Sequence, residues 1–193
     1  MTGKIILIEG SEATGKSTIA RELTIDNVGI NFHNPAGLSK TTKDLYDYMK
    51  TNANTVPSDS MLLLMLAAHI ININKMNALK AAGEFVVCDR SILSSFAYNS
   101  DHSVDEFNHL LTMVRVPPLN YDKVFVLSSS KETIIKRLYS RKNNDPLDAV
   151  FLEKIDTILD RYKEAKAFYP KCIGVNTDTK DIEGVLKYVK ARL

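Results

Sequence analysis

Short runs of consecutive apolar residues alternate along this chain with longer stretches in which apolar positions recur every three or four residues. Ile5-Ile6-Leu7-Ile8, Phe85-Val86-Val87-Cys88, Val124-Phe125-Val126-Leu127 and Cys172-Ile173-Gly174-Val175 are runs of the kind that a parallel strand buried on both faces requires. Residues 29–33 form a shorter fifth candidate. Helical spacing predicts helices over 16–26, with Ile19 and Leu23 inward, and over 40–53, with Ser39 or Thr41 as cap. A long helix is predicted from a Ser58 or Asp59 cap to a stop at Gly83. Its first half is apolar nearly all round, which predicts burial in the core or between subunits. Its second half turns amphipathic, with Asn72, Asn74, Lys75 and Asn77 among the apolar positions. Further helices are predicted over 91–99, 104–115, 131–141, 148–167 and 180–191. Strands alternating with helices predict an α/β protein: a three-layer α/β/α sandwich on a five-stranded parallel sheet. Nothing between residues 1 and 193 resembles a repeat or a linker, so one domain is expected.

The first strand runs into Gly10-Ser11-Glu12-Ala13-Thr14-Gly15-Lys16-Ser17-Thr18, which has the phosphate-binding G-x-x-x-x-G-K-S spacing. The chemistry demands that spacing. Glycines let the backbone fold tightly round a phosphate, so that successive N–H groups point at its oxygens. Lys16 then reaches the β- and γ-phosphates, the Ser17 hydroxyl ligands Mg²⁺, and the helix that starts here adds its positive end. Strand, Gly-rich loop and helix follow in the order the motif needs. The loop at His33–Gly37 and the pair Asp89-Arg90 also fall at carboxyl ends of strands, where open parallel sheets bind ligands.

Composition changes this picture little. The chain carries 25 basic and 23 acidic residues, a formal charge of +2. That gives no reason to expect duplex nucleic acid or a membrane surface as partner. Cys88 and Cys172 are the two cysteines, and both are expected as buried free thiols. The apolar run near the start is four residues long, so no signal peptide is expected there. The most apolar stretch, Met61–Ile71, is short and interrupted by His69, so a cytoplasmic protein is expected.

The residues from Ile8 to Thr18 resemble the thymidylate kinase opening F-E-G-x-[DE]-G-x-G-K-[ST]-T. Cys88-Asp89-Arg90-Ser91 resembles that family's D-R-[YHS], Ser94–Asn99 its S-S-x-A-Y-Q, Leu63–Ala68 its L-L-L-F-A-A, and Asn34–Gly37 its E-P-G-G. Arg137 to Arg141, ahead of Asp145, resembles its arginine-bearing lid, here at about 137–149. The resemblance implies transfer of a phosphoryl group from Mg-ATP to dTMP or a related pyrimidine deoxynucleotide, and a homodimer. Four positions depart from it. His33 stands where the family has the arginine that grips the acceptor phosphate, and Ile70 where it has the arginine that contacts the base. Glu12 replaces the usual Asp, and Asn99 a glutamine.

These residues carry the expected roles. Lys16 holds the donor phosphates, with residues 10–18 as their cradle. Arg90 clamps phosphates of donor and acceptor; its alternative is a structural ion pair with Asp89 or Glu9. Asp89, with Ser17, orders the Mg²⁺ shell. The resemblance places Glu12 against the acceptor. The loop has no basic residue between its glycines, so the arginine that stabilises the charge developing in transfer is expected from elsewhere, with the lid as its natural source. Arg141 is the first candidate and Arg137 the second; four apart, they are expected on one helical face. Tyr98 and Asn99 are candidates for the acceptor base or sugar, and Phe32 and His33 for stacking on it or holding its phosphate. His69, His102 and His109 show no metal-ligand spacing. Two other functions share these features: a nucleoside kinase, which Ser91 after Asp89-Arg90 also fits, and a nucleotide-binding protein without transfer activity.

Overall fold

The structure is a computed structural model that describes residues 3–53, 55–98, 102–141 and 146–193. Among these, five strands form one parallel sheet in the order β2-β3-β1-β4-β5. They are β1 (Lys4–Gly10), β2 (Ile30–His33), β3 (Phe85–Asp89), β4 (Lys123–Ser128) and β5 (Ile173–Asn176). Alternate residues of each strand enter opposite layers, as the two-residue period of a strand dictates. Ile5, Leu7, Phe32, Val86, Cys88, Val124 and Val126 join one cluster, and Ile6, Ile8, Val87, Phe125, Leu127 and Val175 the other. The second cluster is closed by α1 (Lys16–Asp26) and α10 (Ile182–Lys190), through Ile19, Leu23, Val185 and Val189.

The first cluster is closed by α3 (Ser58–Ala81) and by the helices α4 (Ile92–Tyr98) and α5 (Val104–Met113). The remaining helices are α2 (Lys40–Thr51), α6 (Lys131–Tyr139), α7 (Pro146–Glu153), α8 (Ile155–Tyr162) and α9 (Ala165–Phe168). Ser39 caps α2 by accepting from the Thr42 N–H at 3.1 Å. Ser58 and Asp59 do not cap α3: Pro57 holds the cap position and both lie inside the first turn. Nor is the first half of α3 buried all round. Leu62, Leu66, Ala68, His69, Asn72, Ile73 and Met76 are buried, whereas Leu63 remains 49% exposed. Asn72, read from sequence as part of a polar stripe, points inward because it finds partners there. By length and composition α3 is apolar enough to cross a membrane, yet here its inner face packs on the sheet.

The single helix expected over 148–167 is three short ones. At Lys154, and again at Lys163 and Glu164, the N–H bonds three residues back, to Phe151, Asp160 and Arg161. These tighter turns bend the segment without losing its apolar stripe, and Phe151, Ile155, Ile158, Tyr162, Ala165 and Tyr169 all remain buried. Helix α6 ends at Tyr139, where the Arg141 N–H bonds back to Leu138, so Arg141 has left the helix. It therefore does not share a helical face with Arg137. Cys88 is a buried free thiol as expected, but Cys172 is only partly buried because it precedes β5.

Candidate active site

The carboxyl ends of β1, β2 and β3 open into one cleft of about 440 Å³, a size suited to a small organic ligand. At its base the loop after β1 turns back over the sheet. Gly10 takes φ 141°, and a Cβ there would lie 2.2 Å from the Leu127 carbonyl oxygen, so no side chain fits. Ala13 and Gly15 also take positive φ, at 57° and 92°. Lys16 lies inside this turn, 4% exposed, donating to the Ser11 carbonyl at 2.6 Å. Burial strips water from its ammonium and Arg90 repels it; Glu12, Asp89 and Glu9 offset part of this, and the pKa falls to about 8.

Asp89 ends β3 facing Ser17. Its Oδ2 accepts from Ser17 Oγ at 2.5 Å and lies 3.4 Å from His33 Nδ1. Its Oδ1 is buried with no partner. Burial works against the charged carboxylate, but the His33 hydrogen bond and the cations Lys16 and Arg90 outweigh it and hold the pKa at about 2. A buried, ionised and half-unsatisfied carboxylate beside a hydroxyl fits a hard cation that keeps most of its water. Among the described residues no group of three or more His, Cys, Asp or Glu could hold a metal unaided.

Arg90 follows with φ 72°, its N–H bonded to the Ile8 carbonyl at 3.0 Å, which turns its side chain off the strand into the cleft. Its guanidinium pairs with Glu12 Oε1, rather than with Asp89 or Glu9, and lies 5.2 Å from the Tyr98 ring centroid. The Tyr98 hydroxyl donates to Glu12 Oε1 at 3.3 Å. Arg141 reaches the other oxygen of Glu12 at 3.9 Å and Asp148 at 3.8 Å. Burial would raise the Glu12 pKa, but the charges of Arg90, Lys16 and Arg141 lower it, so the carboxylate is the hub of three cations.

Glu9 occupies the middle of this assembly, fully buried at the end of β1. It accepts from the Ser91 backbone at 2.6 Å, from the Ser91 hydroxyl, and from Ser94 Oγ at 2.7 Å. It thereby ties the start of α4 to the end of β1. Sequence reasoning weighed Glu9 only as a partner for Arg90. The available signal was a carboxylate in a strand expected to be buried on both faces, which has to find several donors.

Other expected residues are placed differently. Arg137 does not line the cleft. It bonds the Ala13 carbonyl at 3.1 Å, Ser129 Oγ at 3.2 Å and the Thr177 carbonyl at 2.7 Å, bracing the loop against the ends of β4 and β5. Phe32 is 0% exposed in the core, because strand alternation sends it opposite to His33, which does line the cleft. Ile70 is absent from the cleft wall, while Met65 and His69 of the same helix line it. Asn99 lies outside the described residues, as do residues 142–145 of the expected lid. The His33–Gly37 loop is held from below. Asn72 donates to Asn34 Oδ1 at 2.7 Å and to the Pro35 carbonyl at 2.9 Å, and a Cβ at Gly37 would strike Asn72 Oδ1 at 2.1 Å.

Residues 8–188 match the family model described as thymidylate kinase. Among curated proteins, a thymidylate kinase of Rickettsia bellii is 24% identical, over 99% of this chain and 96% of its own. A probable thymidylate kinase of Methanocaldococcus jannaschii is 29% identical, over 93% and 90%. The crystal structure of thymidylate kinase from Ehrlichia chaffeensis superposes with a TM-score of 0.71 at 18% identity, covering 100% of this chain and 98% of that one. The solved structure of Candida albicans thymidylate kinase, an enzyme described as having broad substrate specificity, gives 0.78 at 20%, covering 99% and 91%. At these identities the superpositions speak for the fold.

Proposed function

The chain belongs to the thymidylate kinase family of phosphotransferases, and from that premise we propose that it transfers the γ-phosphoryl group of ATP to dTMP or a closely related pyrimidine deoxynucleotide. One observation carries the proposal: Lys16, Arg90 and Arg141 converge on Glu12 in a single cleft. Family membership favours a nucleoside monophosphate acceptor over the two rival readings, a nucleoside kinase and an inert nucleotide binder.

Transfer makes a bond from an acceptor phosphate oxygen to the γ-phosphorus and breaks the bond to the β–γ bridging oxygen, releasing ADP. There is little covalent work for side chains, and positioning and charge neutralisation dominate. The amides of residues 10–18 and the Lys16 ammonium hold the donor phosphates. Arg90 spans donor and acceptor with a planar fork, and Arg141 approaches from the lid side to meet the charge that builds in the transition state. Glu12 keeps both guanidiniums assembled until phosphate oxygens replace it, with Tyr98 fixing the same carboxylate. His33 takes a place beside the acceptor phosphate. Arg137 acts on the donor site indirectly, through the Ala13 carbonyl. Ser17 and Asp89 would hold Mg²⁺, which would offset the charge of the phosphates.

Two further features belong to the same proposal. The outer face of α3, where Leu63 is 49% and Ile71 36% exposed, pairs two copies into a homodimer. The protein works in the cytoplasm, consistent with an ATP donor and two free thiols. The deciding experiment is ADP release measured across all nucleoside monophosphates and nucleosides. Turnover with dTMP is expected; turnover with nucleosides alone would overturn the assignment.

A further inference from the structure

Away from the phosphate-binding end, the cleft wall passes to Met65, Phe151 and Ile158, apolar residues from α3, α7 and α8. A flat base needs such walls together with a few placed polar groups that read its edge. Most neutral polar groups nearby are already engaged. Ser91 and Ser94 serve Glu9, Tyr98 serves Glu12, and Asn34 bonds the Arg90 carbonyl at 3.0 Å. His69 and Ser95 also line the cleft and bond each other: His69 Nε2 lies 2.7 Å from Ser95 Oγ. Both are buried, 2% and 4% exposed. Burial alone lowers the His69 pKa to about 4, so the imidazole is neutral and can carry its proton on either nitrogen.

Resting on the monophosphate-kinase reading above, we propose that the His69–Ser95 pair reads the acceptor base as a reversible hydrogen-bond relay that admits both thymine and cytosine. The two bases differ at N3, which is a donor in thymine and an acceptor in cytosine. With the His69 proton on Nδ1, Ser95 donates to Nε2 and its oxygen accepts from thymine N3–H. With the proton on Nε2, His69 donates to Ser95, whose hydroxyl then donates to cytosine N3. No heavy atom moves between the two states, and the Nε2–Oγ hydrogen bond is kept in both. A site built on one fixed donor or acceptor would instead reject the wrong base strongly, because a buried polar group would lose its partner.

The test compares kcat/KM for dTMP and dCMP in the full chain and in His69→Phe and Ser95→Ala, and follows the His69 ring nitrogens by long-range proton–nitrogen NMR in each complex. In the unmutated protein the two nucleotides should agree within about tenfold. His69→Phe keeps a planar ring but leaves the Ser95 proton without an acceptor when thymine is bound. It should lower dTMP relative to dCMP by about tenfold or more. Ser95→Ala should lower both. The ring should carry its proton on Nδ1 with dTMP and on Nε2 with dCMP, a readout that needs no variant to fold. The same tautomer in both complexes, or dCMP more than about a hundredfold poorer than dTMP, would overturn the relay alone. ADP release with neither nucleotide would sink the kinase reading on which it rests.

Discussion

Ser17 donates to Asp89 at 2.5 Å across the gap between α1 and β3, and the second oxygen of Asp89 is buried without a partner. Removing the charge while keeping the shape isolates what that oxygen does. Asp89→Asn should leave the fold in place and raise the Mg²⁺ concentration for half-maximal activity by about tenfold, with kcat down about a hundredfold. A magnesium titration of ADP release checks this. An unchanged metal dependence would make Asp89 merely a partner of Ser17 and His33.

Lys16 offers a separation of activity from stability. Holding its ammonium in the loop at neutral pH costs on the order of 3 kcal/mol, judged from a pKa brought down to about 8. Lys16→Met removes that cost together with the point charge on the donor phosphates. Transfer should fall by about a thousandfold or more while the melting temperature stays level or rises. Calorimetry beside single-turnover assays gives both numbers, and normal turnover by the variant would refute the site.

The same group sets a pH dependence. ATP binding favours the protonated ammonium, so binding in the free protein takes up a proton once pH exceeds about 8. Affinity should be flat below pH 8 and decline above it, by up to about tenfold per pH unit. Isothermal titration in buffers of different ionisation heat would show proton uptake at pH 8.5 and none at pH 6.5. Asp89, Glu12 and Arg90 are all ionised throughout this window, given their shifted pKa values, and cannot produce the profile.

How far the sequence carried depended on which physics set each feature. The sheet was legible because strands buried on both faces must be written as unbroken apolar runs, and those near Ile5, Phe85, Val124 and Ile173 all became strands. The loop after β1 was legible because its backbone path tolerates few residues at Gly10 and Gly15. What failed was direction. Phe32 and His33 are neighbours, but one residue of register puts the first in the core and the second in the cleft. The spacing of Arg137 and Arg141 promised a shared face only while the helix continued, and it stops at Tyr139. Glu9 and Asn72 were passed over because their value lies in partners more than thirty residues away, which no local pattern displays.

Arg137 and Arg141 should therefore separate in kinetics. Arg137 is braced by the Ala13 carbonyl, Ser129 and Thr177. Arg137→Ala should destabilise the protein by about 2–4 kcal/mol, since hydrogen bonds to a charged group are lost and the carbonyls of Ala13 and Thr177 lose a donor. It should raise KM for ATP more than it lowers kcat. Arg141 is half exposed and meets Glu12 and Asp148 only at 3.9 and 3.8 Å, contacts worth little to stability. Arg141→Ala should leave the denaturant midpoint where it is and cut kcat by about a hundredfold to a thousandfold, with KM for ATP little changed. Urea unfolding beside steady-state kinetics of both variants decides. A stable, fully active Arg141→Ala, or a kcat loss confined to Arg137→Ala, would reverse the assignment of the transition-state arginine.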